Sequence, residues 1–188
     1  MASYKRIIQR LNKKSADDPT TLKVVTNNIL DKLFVSAAPE FDEEACKLLS
    51  TYVAFLRVMY LVHQKNHWDA LRYGDHLLFQ RIYEDVGTLA DDAAERVIGL
   101  CGKLADVPMD GFIKEFSHKE DTLTSTLESS LSIEKAFLDL NKKTYEALKE
   151  KNMMTLGLDD MIMAQASESE VHVYLLQQAL KGTDIRSS

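Results

Sequence analysis

The sequence predicts an all-α protein built on a bundle of four long helices, with a short helix in the long connection between the second and third. Two observations carry this prediction. The 188 residues include only three prolines and seven glycines, and residue types that favour helix dominate the composition. Apolar residues also recur with a period near 3.6 over four long stretches, as in amphipathic helices. A single domain of this length buries a substantial core without cross-links or metals.

Residues 1–40 are predicted to form a basic N-terminal extension with short helices. An amphipathic helix is expected over residues 3–14, and the dipeptide Asp18-Pro19 is a turn signal that ends it. A second helical segment follows and ends before Pro39. The extension is therefore interpreted as an addition to the bundle rather than as one of its four helices.

The net charge of −6 is unevenly distributed along the chain. The first fifteen residues carry +5 and no acid, which leaves −11 for the remainder. Such an acidic body could hold cations, and the basic leader could make non-specific contact with DNA. The leader's basic residues, which we predict for that contact, are Lys5, Arg6, Arg10, Lys13 and Lys14. The alternative for the leader is a solvated amphipathic helix.

The bundle itself is predicted over residues 41–182. Its elements each carry an apolar stripe and are expected at residues 41 to 68–70, 74–100, 109–117, 124–152 and 158–180. Acids open the first helix, where the helix dipole favours them. Gly102 helps to end the second helix, Gly157 separates the last two, and Gly182 is predicted to stop the last one. Residues 183–188 are then a C-terminal tail.

The long connection between the second and third long helices indicates the one-crossover topology known as ferritin-like. In that topology the end of the first helix and the starts of the second and third lie at one pole. His67 near the end of the first helix and His76 near the start of the second are therefore expected to lie close together.

The sequence does not indicate a membrane or secreted protein. It has no run of about 18 apolar residues, and no signal peptide is recognisable at its start. Cys46 and Cys101 are each isolated in an apolar helical pattern, so we predict two reduced, buried thiols. The expectation is a cytoplasmic protein without membrane contact.

Ligand-type side chains recur at helical spacing between residues 63 and 96. His63 and His67 are four residues apart, as are Asp91 and Glu95, so each pair shares a helix face. Histidine and carboxylate side chains together can bind zinc or iron. The alternatives are a solvated acidic face and histidines that are satisfied within the core.

One chain cannot join these groups around a single ion. His76 lies 15 residues before Asp91 and 19 before Glu95. On one helix these separations are roughly 22 Å and 28 Å, at about 1.5 Å per residue. Two copies lying antiparallel across a two-fold axis would bring each histidine end to the other's carboxylate end. The spacing therefore predicts a homo-oligomer.

The same residues resemble the Dps family of ferritin-like proteins over roughly residues 41–180. The first matching features are a His-Trp pair at His67-Trp68 and a second histidine after a glycine at His76. Asp-x-x-x-Glu-Arg follows one helix length later at Asp91 to Arg96, and the last helix has Glu-x-His-x-aromatic-Leu at Glu170 to Leu175. The resemblance implies a hollow, dodecameric shell that oxidises Fe(II) with hydrogen peroxide or oxygen at two-fold interfaces. It also implies storage of Fe(III), protection against oxidative stress and, as in some members, DNA binding through basic tails.

By this resemblance, the ferroxidase site comprises His67 and His76 of one subunit and Asp91 and Glu95 of another. Trp68 would lie next to the iron and take up oxidising equivalents. The resemblance thus implies these five residues as the catalytic set and iron as the metal.

Two departures from the family pattern affect the expected ligand set. The loop between His67 and His76 is about three residues shorter than usual, so either His67 or His63 is expected to reach the metal. Gln80 stands where the family usually has aspartate, which removes a negative charge and a strong hard-oxygen donor. His63 and Gln80 therefore join the predicted metal set.

Other functions stay open at this point. Gln80 could mark a degenerate centre in a non-catalytic shell or DNA-protecting assembly, and a helical interaction module without metal is a third reading. A di-iron site inside the bundle, with Glu168, Glu170 and His172, is disfavoured. Such a site draws a carboxylate from every helix, and residues 52–59 of the first helix offer none. Glu170 and His172 are instead expected at surface or pore contacts.

Overall fold

The computed structural model describes residues 40–107, 109–120 and 125–184, and these residues form helices with no strand. In chain order the helices are α1 (Glu43–Asp69), α2 (Tyr73–Cys101), α3 (Met109–Glu120), α4 (Thr126–Glu150) and α5 (Leu156–Asp184). The all-α prediction is confirmed. Residues 1–39 and 185–188 lie outside the described ranges, so the basic extension and its DNA contact stay predictions.

The helix ends agree with the predicted ends to within a few residues, with one exception. Gly182 was expected to stop the last helix, but α5 continues through it to Asp184. An isolated glycine costs a helix only about 1 kcal/mol relative to alanine, so it does not end a helix by itself. Gly102 does end α2, because it adopts the left-handed conformation with φ +77° and its N–H donates a hydrogen bond to the carbonyl of Ile98.

Two side chains cap the bundle helices at their N termini. Asp42 accepts a hydrogen bond of 2.7 Å from the backbone N–H of Ala45 at the start of α1. Ser125 accepts one of 3.2 Å from the N–H of Glu128 at the start of α4. These bonds satisfy donors that have no partner within the helix, so the sequence itself defines both starts.

The core lies between α1, α2, α4 and α5, with α1 packed against both α2 and α4. Its largest fully buried apolar residues are Tyr52, Leu49, Leu56, Met59, Phe79, Ile82, Ile133, Phe137, Leu148, Leu158 and Leu176. By length and composition alone α1 could cross a membrane, but 50% of its most apolar window is buried inside the bundle, a pattern that core helices share.

Cys46 and Cys101 form a disulfide, so the prediction of two reduced thiols is wrong. Cys46 lies in the first turn of α1 and Cys101 is the last residue of α2. Because the two helices are antiparallel neighbours, these ends meet and the Cα atoms are 5.8 Å apart. The disulfide links the start of α1 to the end of α2, at the opposite end of the bundle from His67 and His76.

Tyr52 connects three helices through one hydrogen-bonded pair. Its hydroxyl donates to Gln165 Oε1 at 2.6 Å, and Gln165 Nε2 donates to the Leu89 carbonyl at 3.1 Å. Burial raises the pKa of Tyr52, so its hydroxyl keeps the proton. The pair therefore joins α1, α5 and α2 within the core.

We expect Tyr52→Phe to destabilise the protein by about 1–3 kcal/mol, because it leaves the buried Gln165 oxygen without a donor. Chemical denaturation monitored by circular dichroism measures the loss. Tyr174→Phe on the exposed side of α5 is the matched control, and we expect a change within about 0.5 kcal/mol. Equal stabilities of the two variants would contradict this role for Tyr52.

Candidate metal centres

His67 and His76 meet at the pole where α1 ends and α2 begins, as predicted. Their rings stack with centroids 3.8 Å apart. His67 Nδ1 lies 2.9 Å from the His76 carbonyl oxygen, and His76 Nδ1 lies 3.0 Å from the His67 carbonyl oxygen. A carbonyl only accepts, so each Nδ1 carries the proton. The Nε2 atom is therefore the nitrogen that each ring has available for a metal.

The predicted carboxylates lie further along α2. Asp91 and Glu95 are both exposed, one turn apart. The helix is continuous from Tyr73 to Cys101, so its rise keeps them roughly 22–28 Å from His76. The structure of one chain therefore brings the two histidines together but does not bring the carboxylates to them.

The remaining predicted residues have different surroundings. Trp68 is 69% exposed beside His67. Gln80 is half-buried on α2, and its amide donates to Glu84 Oε1 at 3.0 Å. His63 has no exposed surface, and its Nδ1 lies 3.0 Å from Ser130 Oγ on α4. His63 is thus directed into the bundle, and His67 is the histidine that meets His76.

A second cluster lies inside the bundle around Glu134 of α4, where a di-iron site was disfavoured from the sequence. This carboxylate is fully buried. Its Oε1 atom lies 3.0 Å from His172 Nδ1 and 3.0 Å from His63 Nε2, and its Oε2 accepts a hydrogen bond from Ser169. Burial alone would raise the pKa of Glu134, but the interactions with His172 and His63 outweigh it and lower the pKa to about 2.

The outward edge of His172 faces two more carboxylates. His172 Nε2 lies 3.3 Å from Asp85 Oδ2 on α2 and 3.7 Å from Glu168 Oε1 on α5. Arg81 lies over both acids, 3.5 Å from Asp85 and 3.9 Å from Glu168. Burial lowers the pKa of His172, but Glu134 and Asp85 outweigh burial and raise it. We call Asp85, Glu134, Glu168, His172 and His63 the interior cluster.

His172 is therefore not at a surface or pore contact, and that expectation is wrong. Its neighbour Glu170 is exposed. An in-bundle site was disfavoured because residues 52–59 of α1 offer no carboxylate, whereas the cluster uses a histidine from α1 and an aspartate from α2. The spacing Glu168-x-x-x-His172, which places both side chains on one face of α5, was a visible signal.

The fold is that of the ferritin-like helical bundles, and it resembles the solved structures of several Dps proteins. Dps from Thermosynechococcus elongatus aligns with a TM-score of 0.60 and 21% identity, over 73% of this chain and 90% of that one. Dps from Vibrio cholerae O1, described as a member of a broad superfamily of ferritin-like diiron-carboxylate proteins, aligns with a TM-score of 0.61 and 20% identity over 73% and 89%. An archaeal Dps homologue from Halobacterium salinarum gives 0.59 and 18% over 73% and 79%.

No protein-family model matches the chain, and neither does any curated protein. The similarity to the Dps structures shows a Dps-like ferritin fold. What the chain does with this fold follows from its own side chains.

Proposed function

We propose that this protein is an iron-sequestering, Dps-like ferritin. It oxidises Fe(II) with hydrogen peroxide or oxygen at sites shared by two subunits, and it stores the Fe(III) in a hollow shell of twelve copies, as the family pattern in its sequence implies. The single observation that carries the proposal is the reciprocal hydrogen bonding of His67 and His76. This hydrogen bonding leaves two imidazole Nε2 atoms available for a metal near the start of α2. The same helix bears exposed carboxylates toward its other end.

The shared site follows from helix geometry. Asp91 and Glu95 are exposed and too far along α2 to reach the histidines of their own chain. A second copy of α2, antiparallel across a two-fold axis, places its carboxylates opposite His67 and His76. The two imidazoles and two carboxylates then offer a set of nitrogen and oxygen donors that suits Fe(II), which enters as substrate.

For iron oxidation, these residues must bind Fe(II) and must stabilise the higher charge of Fe(III). The carboxylates do the latter, because negative oxygen donors favour the more highly charged ion. Two Fe(II) ions give two electrons to one hydrogen peroxide, which takes up two protons and leaves as two waters. With oxygen as the oxidant, the same two electrons and two protons yield hydrogen peroxide. Trp68 lies beside His67, where it can take up a stray oxidising equivalent.

A non-catalytic shell is the second candidate, and Gln80 is the observation that favours it. The Gln80 amide donates a hydrogen bond to Glu84 on the same helix. A neutral amide therefore stands where the family pattern has a charged carboxylate. Such a shell would assemble and would take up iron only as fast as iron oxidises in buffer.

Two measurements on the full chain test the proposal. Size-exclusion chromatography with light scattering should give a mass near twelve times the 21.3 kDa of the chain. Fe(II) added with peroxide should be oxidised much faster than in buffer, and the iron should elute with the protein. A shell without fast oxidation supports the second candidate, and a monomer that leaves iron in solution overturns both.

A further inference from the structure

The outward side of the interior cluster presents three metal-type donor atoms from two helices. Asp85 Oδ2, Glu168 Oε1 and His172 Nε2 all lie within 4.8 Å of one another. Bonds of about 2.0–2.2 Å to one ion place neighbouring donors roughly 3.4 Å apart at a tetrahedral angle. The distances from His172 Nε2, 3.3 Å to Asp85 and 3.7 Å to Glu168, are close to that value. The three atoms thus have the spacing of a partial coordination shell.

Glu134 fixes the orientation of the His172 ring, with Nδ1 toward itself and Nε2 toward the other two acids. An ionised carboxylate only accepts hydrogen bonds, so His172 Nδ1, 3.0 Å from Glu134 Oε1, carries a proton. The Nε2 atom is then the one that faces the acids, and the proton that it shares with Asp85 at 3.3 Å is released when a metal ion takes its place. A carboxylate behind the far nitrogen of a histidine ligand is the usual support for a metal-bound imidazole.

His63 is a second, independent sign that the cluster is organised around Glu134. Its Nε2 atom is fully buried and lies 3.0 Å from Glu134 Oε1, but it is not aligned for a hydrogen bond. Its Nδ1 atom meets Ser130 Oγ at 3.0 Å. Two buried imidazoles and a buried carboxylate are expensive to desolvate, so a purely structural core would favour apolar residues here.

We propose that Asp85, Glu168 and His172 bind one divalent first-row transition-metal ion inside each subunit, with Glu134 as the positioning residue for His172. One imidazole and two carboxylates suit Zn(II), Mn(II) or Fe(II). All the ligands come from one chain. The inference therefore does not rest on the proposed function, whose site needs two subunits and lies at a different pair of histidines.

Arg81 acts as the counter-charge when no ion is bound. Its guanidinium lies 3.5 Å from Asp85 and 3.9 Å from Glu168, and its side chain is 55% exposed. A long, half-exposed side chain can turn toward solvent when a cation takes its place. Arg81 and a metal ion therefore compete for the same two carboxylates.

Zn(II) titration by calorimetry tests this proposal in full-length, metal-stripped His76→Asn/Asp91→Asn protein, which lacks the shared site. We expect about one Zn(II) per chain. Asp85→Asn and Glu168→Gln should each weaken binding by about 100-fold or more, since even residues behind the ligands contribute 10–100-fold. Both acids are part-exposed, so the variants should fold, and circular dichroism verifies this.

The opposite change provides the discriminating variant. Arg81→Gln removes the competing positive charge, so we expect Zn(II) to bind several-fold more tightly. If the cluster were only an ion-pair network, this variant would gain no affinity. Glu170→Gln is the matched control on α5, because it removes one exposed charge two residues from Glu168, and it should leave the affinity unchanged. Absence of Zn(II) binding in the parent variant, or binding indifferent to Asp85 and Glu168, overturns the proposal.

Discussion

His76→Asn and Asp91→Asn should each reduce the rate of fast Fe(II) oxidation by about 100-fold or more, because each removes a ligand of the proposed shared site. The two defects should complement each other when the chains are mixed. In a mixed dimer one site takes its histidine from the Asp91→Asn chain and its aspartate from the His76→Asn chain, and is intact. The other site lacks both. Random mixing makes half of all dimers mixed, so about one quarter of the sites should work.

The experiment co-expresses the two variants with different affinity tags, purifies the mixed assemblies and follows iron oxidation by absorbance. The matched control mixes His76→Asn with the His76→Asn/Asp91→Asn double variant, because no pairing of those chains restores a site. Recovery near one quarter of the wild-type rate only in the first mixture supports a shared site. Equal and negligible rates in both mixtures would show that His76 and Asp91 do not act across an interface.

The histidine pair was predictable because its cause is local. His67 and His76 lie on either side of a short connection, and antiparallel helices must bring such residues together. The position of Asp91 in the site was predictable only by assuming a second copy of the chain, since the length of α2 separates Asp91 from His76 in one chain. The tautomers were not predictable, because they depend on which carbonyl each ring meets.

The interior cluster was predictable only in part, because it joins residues that are far apart in the sequence. Glu134 lies on the buried stripe of α4, four residues after Ser130 and three before Phe137, so its burial could have been inferred from the period alone. Its partners could not be inferred from spacing within one helix, because they lie 71 residues before it and 38 after it. The disulfide between Cys46 and Cys101 was missed for the same reason, since it depends on how the ends of two helices align.

Glu134→Leu should be the most destabilising single substitution at the interior cluster. It removes the carboxylate that lies between two fully buried imidazoles, and leaves His172 Nδ1 and His63 Nε2 without the negative charge that faces them. Loss of one partner from a buried ion pair costs about 3–5 kcal/mol. In a domain of this size each kcal/mol lowers the Tm by about 2–4 °C, so we expect a fall of roughly 6–20 °C. The measurement is calorimetry of metal-free protein at one fixed concentration, because assembly also affects the Tm.

The cost should depend on the histidines rather than on the loss of charge itself. Glu146→Gln, on the exposed side of the same helix, pairs with Lys142 at 4.0 Å and should change stability by less than about 0.5 kcal/mol. In a His63→Leu/His172→Leu background the Glu134→Leu change should cost far less, because an apolar cluster of similar volume needs no counter-charge. A penalty of the same size with and without the histidines would mean that Glu134 acts through packing alone, and that His172 does not depend on it for its orientation.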